Sequence, residues 1–235
     1  MKNVCALKLF TNGLAYETAT DRTGKLLPKN GEEYQIVIIQ DNPDIVSLTT
    51  EKRLVEQALE EYEKQIGYKI KVWHQLEYPY LPNTIDETIE YRDSDPYFTD
   101  NILAYQGFPN GSLRGKMVFN NKFPWLDGYN RTGAELRAFG IILPNMIDTR
   151  SYQTFNSRQT LKHEFGHALG LEHTTDDEDV LNAIYGENRI MLGNSSKSTI
   201  NLKYGKASFI KRLKPDDYIK AAMTKPLNPR ILRPL

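Results

Sequence analysis

A single cysteine, Cys5, in 235 residues leaves no intramolecular disulfide to form, and a chain of this length buries enough apolar surface to fold without one. Cysteine therefore gives no sign of an oxidising compartment. Long apolar runs are missing as well. Nothing approaches the roughly 20 consecutive apolar residues needed to span a bilayer. Near the N-terminus Lys8 and Asn12 interrupt the one apolar stretch, so no signal-peptide core stands there. Net charge is also absent: thirty basic residues balance thirty acidic ones, which removes the global field that would attract nucleic acid or an anionic membrane. No internal repeat is present. What is left is an ordinary globular composition. It is read as a single domain over residues 1–235, with a first part of about 1–170 and a second of about 171–235. Nucleic-acid partners and membrane spans are not expected. The compartment stays open: a trimmed signal would make the protein secreted, and otherwise it is cytoplasmic.

Along the chain, residues 11–33 read as loop. Tyr34–Gln40 is a β-branched apolar run and reads as a buried strand. Asp41–Ser47 is a turn region. A helix starting near Thr49 or Thr50 places Leu54, Val55, Ala58, Leu59, Tyr62 and Ile66 on one face, with Gly67 as its stop. Tyr68 to Leu76 then alternates in strand fashion, so strand, helix and strand imply a partly parallel sheet. His74 shares the apolar face of that strand and reads as a core histidine.

Residues 77–100 are polar and read as a long surface connection. Asn101–Gln106, Gly115–Asn120 and Ala138–Leu143 are three more strand candidates. Asn156 or Ser157 caps a helix running to about Leu169. Residues 186–208 look irregular. Lys214-Pro215-Asp216-Asp217 opens a last helix, which Pro226 and Pro229 end. The expected class is α+β.

Histidine is scarce, with four in the chain, yet three fall in the segment His163-Glu164-Phe165-Gly166-His167-Ala168-Leu169-Gly170-Leu171-Glu172-His173. Residues four apart on a helix lie one turn apart on nearly one face, so His163 and His167 can share an ion. Gly170 permits a left-handed turn that stops the helix and returns His173 as a third ligand. Three protein nitrogens leave a coordination position for water, the arrangement of a catalytic zinc site rather than a structural one. Glu164 projects roughly 100° around the helix from His163. It can act on water at the metal without being a ligand. The chemistry this suits is hydrolysis by metal-activated water, with Glu164 as general base. One catalytic zinc ion is expected.

The same segment matches the elongated zinc motif of the metzincins, and its Glu-Phe-Gly-His-Ala-Leu-Gly-Leu wording resembles a matrixin. The resemblance extends through Leu103-Ala104-Tyr105, Phe108-Pro109, Gly115–Phe119 and Trp125, and through Leu213 to Ala221. It implies a zincin fold: a twisted mixed sheet, an active-site helix, and a small irregular C-terminal part ending in a helix. It implies a zinc endopeptidase acting on peptide or protein substrates. A non-catalytic zinc-binding protein on the same scaffold and a hydrolase of a non-peptide amide are the alternatives. It further implies a methionine in a tight turn beneath the zinc, for which Met191, within Ile190-Met191-Leu192, is the candidate and Met223 the poorer one. Finally, it implies that substrate pairs antiparallel with an edge strand made of Asn101, Ile102, Leu103, Ala104, Tyr105 and Gln106.

The departures from that family are specific. Val118-Phe119-Asn120-Asn121-Lys122 lacks the histidine and acids that hold structural zinc and calcium in matrixins. Calcium would fall to Asp176-Asp177-Glu178-Asp179, a run that reads better as a solvated loop. Residues 126–150 look inserted. Cys5 lacks the flanking Arg and Gly of a latency cysteine and reads as a small core residue. The extra cysteines of archaemetzincins are absent. Tyr185 and Tyr204 are the tyrosines open to a role near zinc, with packing the favoured reading.

Overall fold

Backbone register, more than any single contact, places the site in this protein. The computed structural model describes residues 4–8, 28–29, 31–40, 48–99, 101–109, 112–186 and 189–205. Strand β1 is Val4–Lys8 and strand β2 is Glu33–Gln40. On β2, Tyr34, Ile36 and Ile38 are fully buried, as is expected of a parallel strand covered on both faces. Helix α1 (Leu48–Ile66) buries Val55, Ala58, Leu59, Tyr62 and Ile66, with Leu54 packed at the margin, so the apolar stripe read from the sequence is the one that meets the sheet. Gly67 follows with φ 73°, a left-handed value that suits glycine. Strand β3 (Lys69–His74) runs parallel to β2, as the strand–helix–strand pattern implied. His74 is buried at its end, and its Nδ1 accepts from the Leu76 amide at 3.1 Å, a structural role.

The next element corrects an expectation. Residues 77–100 are not simply a surface connection, because Glu87–Arg92 forms strand β4 between β2 and the later strand Lys116–Asn120. Ile89 and Tyr91 supply its apolar face. Its acids stay inside the fold because they find partners: Glu90 pairs with Arg92, and Glu87 accepts from Gln106. Strand β5 is Ile102–Gly107 and β6 is Lys116–Asn120, antiparallel to each other. The main sheet has the order β1-β5-β6-β4-β2-β3. The segment Asn101–Gln106 is therefore not an edge strand in this structure. It lies between β6 and β1, and β1 forms the outer ladder.

The inserted segment folds locally. Strands β7 (Trp125–Leu126) and β8 (Asn130–Thr132) precede helix α2 (Gly133–Ala138). Thr132 caps α2, in a box with Glu135. Ala138–Leu143 is thus not a strand. The helix ends at Phe139 and the chain turns so that Leu136, Ile141 and Met146 make a small core of their own. Strand β9 (Ser151–Gln153) returns against β8, and β10 (Phe155–Asn156) pairs with β7. Helix α3 spans Ser157–Ala168, with Asn156 as its cap. Residues 186–208 are not wholly irregular: Asn194–Ile200 forms helix α4, and one π-type turn follows over Asn201–Gly205. The turn at residues 41–47, the expected helix from Lys214, and Met223 lie outside the described residues. No helix among the described residues is long and apolar enough to cross a membrane.

Candidate metal centre

Helix α3 is buried along nearly its whole length, an unusual setting for polar side chains. Its start is fixed from two sides. Asn156 Oδ1 accepts from the Gln159 amide at 3.2 Å, and the Asn156 amide donates to Tyr185 Oη at 3.0 Å. Its middle is pinned to α1, where Tyr62 Oη donates to the Lys162 carbonyl at 2.8 Å and Tyr62 meets Phe165 edge-on at 5.4 Å. Its end is a complete Schellman turn. The Gly170 amide donates to His167 O and the Leu171 amide to Gly166 O, both at 2.9 Å, with Gly170 at φ 78°. Tyr204 Oη donates to the Leu169 carbonyl at 2.9 Å and satisfies another group of the last turn. Tyr185 and Tyr204 thus hold the two ends of the helix.

The turn at Gly170 brings His173 back to the helix. His163, His167 and His173 then offer one ligand atom each, all within 4.8 Å of one another. Nε2 of His167 lies 3.0 Å from Nε2 of His163, and that atom lies 3.2 Å from Nε2 of His173. The contact between His163 and His167 is not a hydrogen bond between neutral rings. His163 Nδ1 is 2.7 Å from the Val180 carbonyl and His167 Nδ1 is 2.8 Å from the Leu171 carbonyl. A carbonyl only accepts, so each Nδ1 carries the proton and each Nε2 presents a bare lone pair. Two lone pairs 3.0 Å apart repel unless a cation lies between their directions. Four ligands at ~2.0–2.1 Å from a tetrahedral zinc would stand about 3.3 Å apart, close to the spacings here.

Burial drives both helix histidines toward the neutral form that binds metal. Desolvation holds His163 well below the usual histidine range, helped by the neighbouring His167 and opposed by its bond to Val180. Desolvation lowers His167 to about 4, against the bond to Leu171. Both are neutral ligands through the physiological range. His173 is half-buried, on the open side of the cluster. Glu164 is fully buried in the helix next to His163.

The floor of the site differs from the expectation. Met191, expected beneath the metal, is 52% exposed, whereas Leu181 is fully buried. Val180 N donates to Met191 O at 2.8 Å, which ties the segment of Leu181 to that of Met191. Leu181 packs under the helix at Gly166, where a Cβ would lie 2.5 Å from Leu181 Cδ2. Sequence reasoning missed Leu181 because it sought a methionine. The apolar pair Val180-Leu181 after the acidic run was the available signal. It also missed Val180 and Leu171 as proton acceptors, since backbone carbonyls leave no trace in side-chain identity. Asp179 departs from a solvated loop too: it is buried, accepts from the Leu181 amide at 3.0 Å, and takes the Ser196 hydroxyl.

A mixed sheet backed by a helix that carries two histidines, with a third returned by a glycine turn, defines the metzincin class of zinc metallopeptidase folds. A family profile described as matrixin matches residues 30–205, and the chain belongs to that family. No curated protein matches it. Membership makes zinc metallopeptidase its general class, with peptide or protein as the general substrate, and the three histidines fit the zinc that matrixins typically bind.

Proposed function

We propose that the protein is a zinc endopeptidase in which His163, His167 and His173 hold the metal and Glu164 is the general base. The observation that carries this reading is the tautomer lock. The carbonyls of Val180 and Leu171 accept from the Nδ1–H groups of His163 and His167, so the two Nε2 lone pairs face one point that suits a cation. When bound there, zinc supplies Lewis acidity, which lowers the pKa of a water toward ~7 and polarises a carbonyl. Glu164 takes the proton of the attacking water on its carboxylate and delivers it to the departing amine. It is fully buried on the helix beside His163, within reach of a water held at the metal. Phe108, just after β5, lies with its ring 5.9 Å from His167 and borders the metal cluster. An extended peptide hydrogen-bonded along β5 would run toward that cluster, which is recognition by strand addition.

Digestion of a denatured protein, with and without a zinc chelator, tests the proposal. Cleavage that disappears on chelation and returns with zinc is expected. Intact substrate in the presence of stoichiometric zinc would identify a non-catalytic zinc-binding protein instead. Glu164→Gln is expected to keep zinc and lose cleavage; turnover within tenfold of the parent would remove Glu164 from the mechanism.

A further inference from the structure

Lys162 stands just before the first histidine on α3 and is buried, a costly place for an ammonium group unless it is paired. Two oxygens hold its amine. Nζ donates to Glu61 Oε2 and to the Ile190 carbonyl, both at 2.9 Å. Glu61 belongs to α1 and also pairs with Lys197 of α4 at 3.1 Å, and the Leu192 amide reaches its Oε2 at 3.5 Å. Burial would push the Glu61 carboxyl up, but the bonds from Lys162 and Lys197 hold it below the usual range, so it is a carboxylate at neutral pH.

The bonds that begin at Lys162 return to its neighbour. After Ile190 comes Met191, whose carbonyl accepts from the Val180 amide at 2.8 Å. The Val180 carbonyl faces His163 Nδ1 at 2.7 Å. Lys162 and His163 adjoin on the helix, so the circuit closes. His167 stands outside it, because its Nδ1 partner is the Leu171 carbonyl in the helix stop.

We propose that Lys162 is a positioning residue for the metal centre: its amine fixes residues 190–192 against α3 and so keeps the Val180 carbonyl in front of His163 Nδ1. The proposal deepens the zinc reading and rests on it for the consequence in metal affinity. What the circuit prevents is a second neutral tautomer. With the Val180 carbonyl displaced, the His163 ring gives its Nδ1 proton to solvent and takes one on Nε2. That Nε2–H then donates to the bare Nε2 of His167, 3.0 Å away. The charge of the ring is unchanged, but a proton now stands where the cation would bind, and zinc must displace it.

The test reads the proton positions by long-range proton–nitrogen correlation on the zinc-free chain, with isotope-labelled histidine at neutral pH. His74 supplies the reference for the other tautomer, since its Nδ1 accepts from the Leu76 amide. In the unaltered chain His163 and His167 both carry the proton on Nδ1. Lys162→Met keeps the alkyl stem and removes the donors. It is expected to move the His163 proton to Nε2, to leave His167 as it was, and to weaken zinc binding about tenfold, the low end of what loss of an outer-shell partner costs. A folded variant in which His163 keeps its proton on Nδ1 would overturn the proposal. So would an equal change at both histidines, which is general loosening of the helix, or an Nε2 proton on His163 in the unaltered chain.

If Lys162→Met leaves Glu61 too poorly paired to fold, the double variant Glu61→Leu with Lys162→Met removes both charges, a replacement that buried pairs often tolerate. It lacks the donor to Ile190 just as the single variant does. The same shift at His163 alone is expected, and the parent tautomer there would refute the role of Lys162. Should the unaltered chain bind no zinc, the metal reading falls on its own, while the proton positions, read without zinc, still decide this one.

Discussion

At Val180 and Leu171 a backbone oxygen accepts a hydrogen bond from a histidine Nδ1–H, and each bond aims the opposite nitrogen at a common point. Ligand supply at that point depends on all three rings. His173→Ala is expected to weaken zinc affinity by more than the 10–100-fold that loss of an outer-shell partner costs; competition against a chromophoric chelator measures it. A second buried ionisable group lies away from the metal. Burial raises the Glu87 carboxyl to about 8, with Asp86 adding and Gln106, Lys29 and Arg114 opposing. Gln106 Nε2 donates to Glu87 Oε1 at 3.0 Å. Glu87 Oε2 and Gln106 Oε1 are buried with no hydrogen-bond partner among the described residues, and a proton on Oε2 would give that side of the pair a donor. Between the unfolded carboxyl value near 4.5 and about 8, the folded chain then holds a proton the unfolded chain has released. Stability falls as pH rises through that window, by up to about 1.4 kcal/mol per pH unit. Glu87→Gln is expected to flatten the decline in urea midpoint between pH 5 and 8, with a rise at pH 8. An unchanged slope would place the ionisation elsewhere.

The Schellman turn after α3 is the element on which the third ligand depends. Gly170→Ala forces a side chain into φ 78° and is expected to cost about 1–2 kcal/mol in chemical denaturation, with a parallel loss of zinc affinity as His173 is displaced. Gly166→Ala tests the floor. Its Cβ would stand 2.5 Å from Leu181 Cδ2 and 2.6 Å from Tyr62 Oη, and overpacking of this kind costs about 1–3 kcal/mol. Elements of this sort were also the most readable in the sequence. α3, its cap at Asn156 and its glycine stop follow from residue identity and spacing, because helix periodicity and caps are local. So does α1, whose apolar stripe is continuous. β4 was hidden because Glu87, Glu90 and Arg92 make it look solvated, and only tertiary partners show that the acids are satisfied inside. α2 was hidden because Ala138–Leu143 has the apolar content of a strand while Thr132 and Glu135 set a helix start just before it. The burial of Leu181, the exposure of Met191, and the filled edge of β5 are long-range outcomes, which no local pattern encodes.

For the molecule as a whole, the matrixin match spans α1, the five strands β2 to β6 of the main sheet and the histidine cluster, and includes the segment from β8 to β9 with its own local core. Metal and fold are then linked by mass action. If zinc binds the folded chain and not the unfolded one, free zinc at a hundred times its dissociation constant adds about 2.7 kcal/mol. For a chain of this size that is roughly 5–10 °C in thermal midpoint, and the rise should vanish in a His163→Ala, His167→Ala double variant. A midpoint indifferent to zinc in the unaltered protein would mean that the cluster is not a metal site.

The central claim, that three imidazoles hold one zinc and leave a place for water, is tested most directly by zinc-edge X-ray absorption on the loaded, unaltered protein. The account predicts one zinc per chain with three histidine nitrogens at ~2.0–2.1 Å and one further light ligand, the oxygen on which Glu164 would act. A sulfur neighbour, fewer than three imidazoles, or failure to take up stoichiometric zinc would contradict it.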